Sequence, residues 1–401
     1  MRRRTVAALV TLAGILFIAG IAPPASADDA PGFATPRWSG IDARETSAPI
    51  GSERGALIAQ AQLDPTLSLP EVTDARRFLY ATSRSADGPV TTSSAAVFLP
   101  TGTAPEDGWP VIAWAHGTTG LGDDCTPSAL PRSERDAAYL QHWLRQGYAI
   151  VASDYAGLGT PGLMQYLGRE AAARNIVDSV IAAHALGLPL AERWAIVGQS
   201  QGAGAALSAA HVATALSAGS GLDYRGVVAT GTPAYINYPI DLLGPDVPPA
   251  TLPAGLNSYV LYILAGFLDA RPDIATRSAL TPRAEQLIDQ ARILCIPVMA
   301  EITEGLDLRT LFSKPLAGVP GLPDALSDYM AIPDRGYDRP IFLGQGLLDR
   351  DVPAPLSLTL AAALAANGQP VTLNVYPKDH SGTVLTSTVD STPWLARLMH
   401  G

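Results

Sequence analysis

Six short apolar runs, at 110–115, 149–153, 194–197, 226–230, 341–344 and 371–375, recur through this chain. Helical stretches at 134–146, 173–186, 203–216 and 356–366 separate most of them. Runs this short and this continuously apolar read as strands buried on both faces, and a parallel sheet covered by helices on both sides provides that setting. Parallel neighbours cannot be joined by a tight turn, so the intervening helices are the crossovers such a sheet requires. The expected fold class is therefore α/β, mostly parallel, with helices on both faces. Ahead of this series, runs at 77–83 and 90–99 flank Asp87-Gly88-Pro89, a turn signal that makes them a hairpin adding antiparallel strands at one edge. Residues 28–70, rich in Pro, Ala and Ser, read as an extended arm with a short helix.

The alternation breaks once. Between about Pro233 and Asp334 no strand series appears; apolar helical pieces at 256–268 and 283–293 are punctuated by prolines. A usual connection is a few residues long, so a segment of roughly a hundred is an insertion. Open parallel sheets bind ligands beyond the carboxyl ends of their strands, where such an insertion forms a cover. The expected organisation is a core over 28–232, a helical lid or cap over 233–335, and the second part of the core over 336–401.

The first 27 residues are expected to be an address. Arg2, Arg3 and Arg4 precede an apolar run from Val6 to Ile21, followed by Ala25-Ser26-Ala27. These are the three parts of a secretory signal peptide, and the run is shorter than the ~20 residues that span a bilayer. No second run reaches that length, so the mature chain is expected to be secreted without an integral membrane segment. A net charge of −10, with 16% charged residues, leaves no basic footprint for nucleic acid. Export also gives meaning to the two cysteines. Cys125 and Cys295 are the only pair, and an oxidising compartment lets them close into a disulfide.

The sharpest chemical signal is Gly198-Gln199-Ser200-Gln201-Gly202, which follows the run 194–197 directly and opens a small-residue helix. A strand–turn–helix of this kind lifts a serine oxygen to the sheet edge, and the helix N-terminus favours the negative charge that develops there. A serine nucleophile needs a base. Of six histidines, His142, His184 and His211 lie within helical stretches and His400 is penultimate. His380 sits on a loop after the last strand, at the carboxyl end. The acid should lie between Ser200 and His380 in sequence, after a strand. Asp349 occupies that turn, with Asp351 two residues on as the alternative. Oxyanion donors are expected from the backbone of Gln201 and from Thr118 in His116-Gly117-Thr118-Thr119-Gly120.

Together these segments resemble the secretory lipase family of α/β-hydrolases. The resemblance rests on His116-Gly-Thr-Thr-Gly-Leu-Gly with Cys125 beyond it, Asp154-Tyr155-Ala-Gly157-Leu-Gly159, Gly198-Gln-Ser-Gln-Gly202 and Gly346-Leu-Leu-Asp349. His380 followed by a C-terminal helix completes it. The resemblance implies an α/β-hydrolase fold with a helical lid. It further implies hydrolysis of acylglycerols or other acyl esters without metal or cofactor, with a lipid–water interface as a possible setting. The triad it implies falls on Ser200, Asp349 and His380, with an oxyanion contribution from Thr118. Asp154-Tyr155-x-Gly-x-Gly is expected to shape the pocket floor. Two other activities share such a triad, acyl transfer and peptide hydrolysis; the apolar insertion, with Tyr259, Leu261, Tyr262, Leu264 and Phe267, favours an acyl chain. A non-catalytic binding protein of the same fold is the remaining alternative.

Overall fold

A computed structural model of the chain describes residues 35–44, 53–248 and 252–400. The expected leader at 1–27 lies outside the described residues. Nine strands form one sheet: β1 (Leu57–Gln62), β2 (Val72–Ser83), β3 (Val90–Pro100), β4 (Trp109–Ala115), β5 (Ala149–Ser153), β6 (Leu190–Gln199), β7 (Asp223–Thr230), β8 (Ile341–Gly346) and β9 (Val371–Tyr376). Their spatial order is β1-β2-β3-β5-β4-β6-β7-β8-β9. Pairings from β1 to β5 are antiparallel, and all those from β5 through β9 are parallel. The hairpin sits where the sequence places it. One strand was not expected: β1, within the stretch read as an arm, pairs along β2 at the sheet edge. Its sequence, Leu-Ile-Ala-Gln-Ala-Gln, is poor in the β-branched and aromatic residues that announce a strand, and β2 supplies its register from outside.

The core crossovers are α1 (Glu134–Arg145), α2 (Arg169–His184), α3 (Gln201–Ala210) and α4 (Ala213–Leu216). Side chains of β4 alternate between the two faces, as period two requires. Val111 and Ala113 pack into the cluster shared with α2 and α3, while Ile112 and Trp114 meet Tyr139 and Trp143 of α1. Both faces are thus covered, which is why these strands read as continuous apolar runs.

Between β7 and β8 the chain is helical: α5 (Asn237–Asp241), α6 (Ala254–Ala270), α7 (Pro282–Ala291), α8 (Ile296–Ile302) and α9 (Leu322–Met330). Helix α6 buries Leu261, Tyr262, Ile263, Leu264 and Phe267 in succession, so it is apolar all round and lies inside the helical layer. Its buried Asn257 amide donates to the carbonyls of Thr303 and Leu306, at 3.0 and 3.3 Å, fixing the turn after α8. The remaining helices are α10 (Ala354–Ala366), α11 (His380–Thr386) and α12 (Thr388–His400).

Cys125 and Cys295 form a disulfide across Cα atoms 5.4 Å apart, closing 170 residues of sequence. The same place carries backbone pairing: Gly120 bridges Cys295, and the Ile296 N–H donates to the Thr119 carbonyl at 2.9 Å. The loop after β4 is therefore stitched to the start of α8 by one covalent link and a short ladder. Gly120 has to be glycine here, because its φ is +128° and a Cβ would lie 2.6 Å from the Cys295 Cα. Replacing both cysteines by serine should cost about 2–5 kcal/mol of stability. Denaturant titration of the double variant checks this; an unchanged midpoint would mean that the backbone ladder alone holds the junction.

Candidate active site

Ser200 stands at the turn from β6 into α3 with φ +57° and ψ −124°, a conformation a non-glycine residue adopts only when its surroundings impose it. The imposition is steric. A Cβ on Gly202 would fall 1.9 Å from the Ala115 carbonyl oxygen, and one on Gly198 would fall 2.1 Å from the Gly202 carbonyl oxygen. Helix α3 therefore starts in contact with the ends of β4 and β6, and the chain can join them only through a sharp bend. Ser200 is largely buried at the tip of that bend. Its neighbour Gln201 leaves its backbone N–H without a hydrogen-bond acceptor among the described residues, at the first position of α3.

His380 opens α11 and is buried. The Asp379 side chain caps that helix by accepting from the Gly382 N–H at 2.8 Å, which fixes the backbone from which the imidazole projects. His380 Nδ1 lies 2.7 Å from Asp349 Oδ2. The other Asp349 oxygen accepts from the backbone N–H groups of Asp351 and Val352, at 3.0 and 2.8 Å. Gln345 Nε2 donates to Asp349 Oδ2 at 3.3 Å. A carboxylate held by this many donors, with its side chain fully buried, can orient an imidazole and stabilise its cation. The Asp351 side chain makes no hydrogen bond to the imidazole, whose Nδ1 partner is Asp349. It faces the cavity in front of Ser200, and burial, partly offset by His380, pushes its carboxyl above the usual range.

Sequence order alone could not join these three loops. The sheet brings Ser200, His380 and Asp349 to one edge, because β6, β7, β8 and β9 are consecutive parallel neighbours and each functional loop leaves a carboxyl end. Gly231, at the carboxyl end of β7, completes the setting. Its φ is +62°, and a Cβ would stand 2.8 Å from His380 Cε1.

Thr118 occupies the loop after β4. Its Oγ1 lies 2.6 Å from the Tyr166 hydroxyl. Burial pushes the Tyr166 phenol well above its ordinary range, so it keeps its proton and can donate to Thr118, leaving the threonine proton free. Tyr166 was not singled out from the sequence; no local pattern distinguishes it from other buried tyrosines. His116 is structural. Its ring contacts the carbonyls of Gly117 and Asp154 and stacks on Tyr155, and burial lowers its pKa.

A cavity of about 180 Å³ opens at Ser200 and Gln201 and runs into the helical layer between Ile240, Leu243, Leu256, Val260 and Ile263. None of the Asp154–Gly159 segment, expected to shape the pocket floor, lines this cavity, whereas Tyr155 and Ala156 line a neighbouring one that also reaches Gln201. Asp154 is instead an anchor: it accepts from Ser94 Oγ at 2.7 Å and from the Ser128 N–H at 2.8 Å, with Ser128 Oγ also bonded to it. Among the described residues no cluster of side chains could hold a metal ion.

The architecture is that of an α/β-hydrolase. It is similar to Candida antarctica lipase A in its closed state, with a TM-score of 0.73 at 18% identity over 90% of this chain and 87% of that one. The rice cell wall degrading esterase LipA from Xanthomonas oryzae gives a TM-score of 0.68 at 18% identity, covering 86% and 98%. A putative hydrolase from Legionella pneumophila gives 0.69 at 20% identity, covering 86% and 99%. No curated protein sequence matches the chain significantly. Residues 132–296 match the model of the secretory lipase family, in agreement with the resemblance carried by the motifs. That match covers less than half of the chain, and the solved structures, at 18–20% identity, show the fold alone.

Two substitutions test the geometry. Asp349→Asn should lower kcat by orders of magnitude, whereas Asp351→Asn should change it by less than about tenfold. The reverse order in steady-state kinetics would reassign the acid. Gly231→Ala should displace the His380 ring and cut kcat at least tenfold with the fold intact by circular dichroism; full activity would show that the ring does not need its present position.

Proposed function

We propose that this protein is a secreted serine carboxylesterase of the lipase type, acting through an acyl-enzyme on Ser200. The observation that carries the reading is that the buried His380–Asp349 pair and the strained serine share a sheet edge with an apolar cavity. In the first half-reaction Ser200 Oγ bonds to the ester carbonyl carbon while His380 Nε2 takes the hydroxyl proton. Asp349 stabilises the imidazolium. The negative oxygen is met by the Gln201 N–H and by donors of Thr118. The carbon–oxygen bond to the alcohol then breaks, and the alcohol leaves with the proton from His380. Water repeats the sequence on the acyl-enzyme, gives its proton to His380, and frees the carboxylic acid with Ser200 restored.

The acyl chain would lie between α5 and α6, where removal of apolar surface from water contributes roughly 25 cal/mol per Å². The 233–335 segment would be the lid over that chain, and 1–27 the leader removed on export. No described helix is long and apolar enough to cross a membrane. Acyl transfer to an alcohol uses the same acyl-enzyme and is the nearest second activity. A peptide substrate is disfavoured, because a main chain entering this cavity would lose water without polar partners.

Ser200→Ala should lose at least about a thousandfold in kcat against p-nitrophenyl esters, as removal of a nucleophile from such a triad does. A variant retaining a tenth of wild-type activity would place the chemistry elsewhere. A profile over acyl chains from acetate to oleate, with a triglyceride emulsion, should show turnover of apolar acyl esters; turnover of amides alone would overturn the ester assignment.

A further inference from the structure

Ser200 Oγ makes no hydrogen bond among the described residues, and the ring nitrogen that should receive its proton is already engaged. His380 Nε2 lies 3.0 Å from Nε2 of Gln199, the residue immediately before the nucleophile. The orientation of that amide is fixed from its other end. Gln199 Oε1 accepts from Arg135 Nη2 at 3.3 Å, and a guanidinium has only donors to offer. Arg135 is itself held in the first turn of α1, paired with Asp136 at 2.8 Å and donating to Ser381 Oγ at 3.3 Å. The Gln199 amide is buried, and Gly117 makes room for it: a Cβ there would meet Gln199 Oε1 at 2.7 Å.

With its oxygen taken by Arg135, the amide presents an NH2 group to His380. An NH2 group can pair only with an unprotonated ring nitrogen, so Nε2 carries the lone pair and Nδ1 carries the proton that goes to Asp349 Oδ2. That is the tautomer the base needs. Yet the imidazole has one lone pair, and Gln199 occupies it. Once Nε2 is protonated, as in both tetrahedral intermediates, two N–H groups would face each other and the contact must break.

We propose that Gln199 is a positioning residue that caps the general base of the resting enzyme, and that it must release His380 in each half-reaction. The proposal rests on His380 being the base, as read above. The contact stabilises the ground state and is absent from the transition state, so it fixes the tautomer at the expense of turnover. A hydrogen bond of ordinary net strength sets the scale of that effect at about two- to tenfold.

Two substitutions of opposite sign test this, with every kcat expressed per site titrated by a p-nitrophenyl phosphonate so that misfolded molecules drop out. Gln199→Met keeps the bulk and removes the donor; kcat for a p-nitrophenyl ester should rise about two- to tenfold with KM little changed. Gln199→Glu supplies an acceptor that holds the Nε2 proton, so kcat near neutral pH should fall at least tenfold. The rising limb of its pH–rate profile should move to higher pH by at least one unit relative to wild type. A space-filling role for Gln199 predicts neither the opposite signs nor the displaced limb. If Gln199→Met lowers kcat, or if the Glu variant keeps the wild-type pH profile, the cap is refuted. Should Ser200 fail to react with the phosphonate in the wild type, the parent reading fails instead.

Discussion

The structure depends on one close approach, that of helix α3 to the carboxyl ends of β4 and β6. Gly198 and Gly202 let backbone meet backbone there, at separations a single Cβ would forbid. The strand must then turn into the helix within one residue, and Ser200 takes a left-handed conformation of the kind that costs about 1–3 kcal/mol and persists only when its surroundings over-determine it. What over-determines it is the pairing of β6 with β4 and β7 on either side, together with α3 packed on one of the two covered faces of the sheet. The strain returns a serine oxygen at the sheet edge and an unpaired N–H on Gln201 beside it.

A second constraint works on the loop after β4. Gly120 pairs with Cys295, the Ile296 N–H reaches Thr119, and the disulfide closes the same junction. The segment carrying Thr118 is thus bound to the helical layer that lines the cavity. Tyr166 ties it from another side through Thr118 Oγ1, and the Tyr329 hydroxyl donates to the Tyr166 carbonyl at 2.7 Å, so α9 takes part as well. The residue expected to meet the oxyanion and the walls expected to meet the acyl chain share one set of supports.

Most of this architecture can be read in the chain because the parallel strands are buried on both faces and so appear as bare apolar runs. The elbow is equally visible, since Gly198 and Gly202 flank the serine at a fixed spacing, although the contact that requires Gly202 comes from Ala115 at the end of β4. Turn geometry supports the proposal of Asp349 over Asp351: the first carboxylate folds back on the N–H groups of Asp351 and Val352, while the second faces the cavity. Features that depend on distant partners are less legible. Strand β1 owes its form to β2 rather than to its own Ala and Gln residues. Asp154 looks like part of a pocket wall, yet it is spent on Ser94 and Ser128, which lie 60 and 26 residues away. Gln199 and Arg135 meet only because α1 crosses the sheet beside the elbow, and no spacing in the sequence announces that contact.

The most direct measurement of the central claim is intact and peptide mass spectrometry of the protein after reaction with a p-nitrophenyl phosphonate, with residual esterase activity followed in parallel. The account predicts one adduct per chain, mapped to Ser200 within Gly198–Gly202, with activity lost in proportion to its formation. An adduct on another residue, or esterase activity persisting when Ser200 is fully labelled, would contradict it.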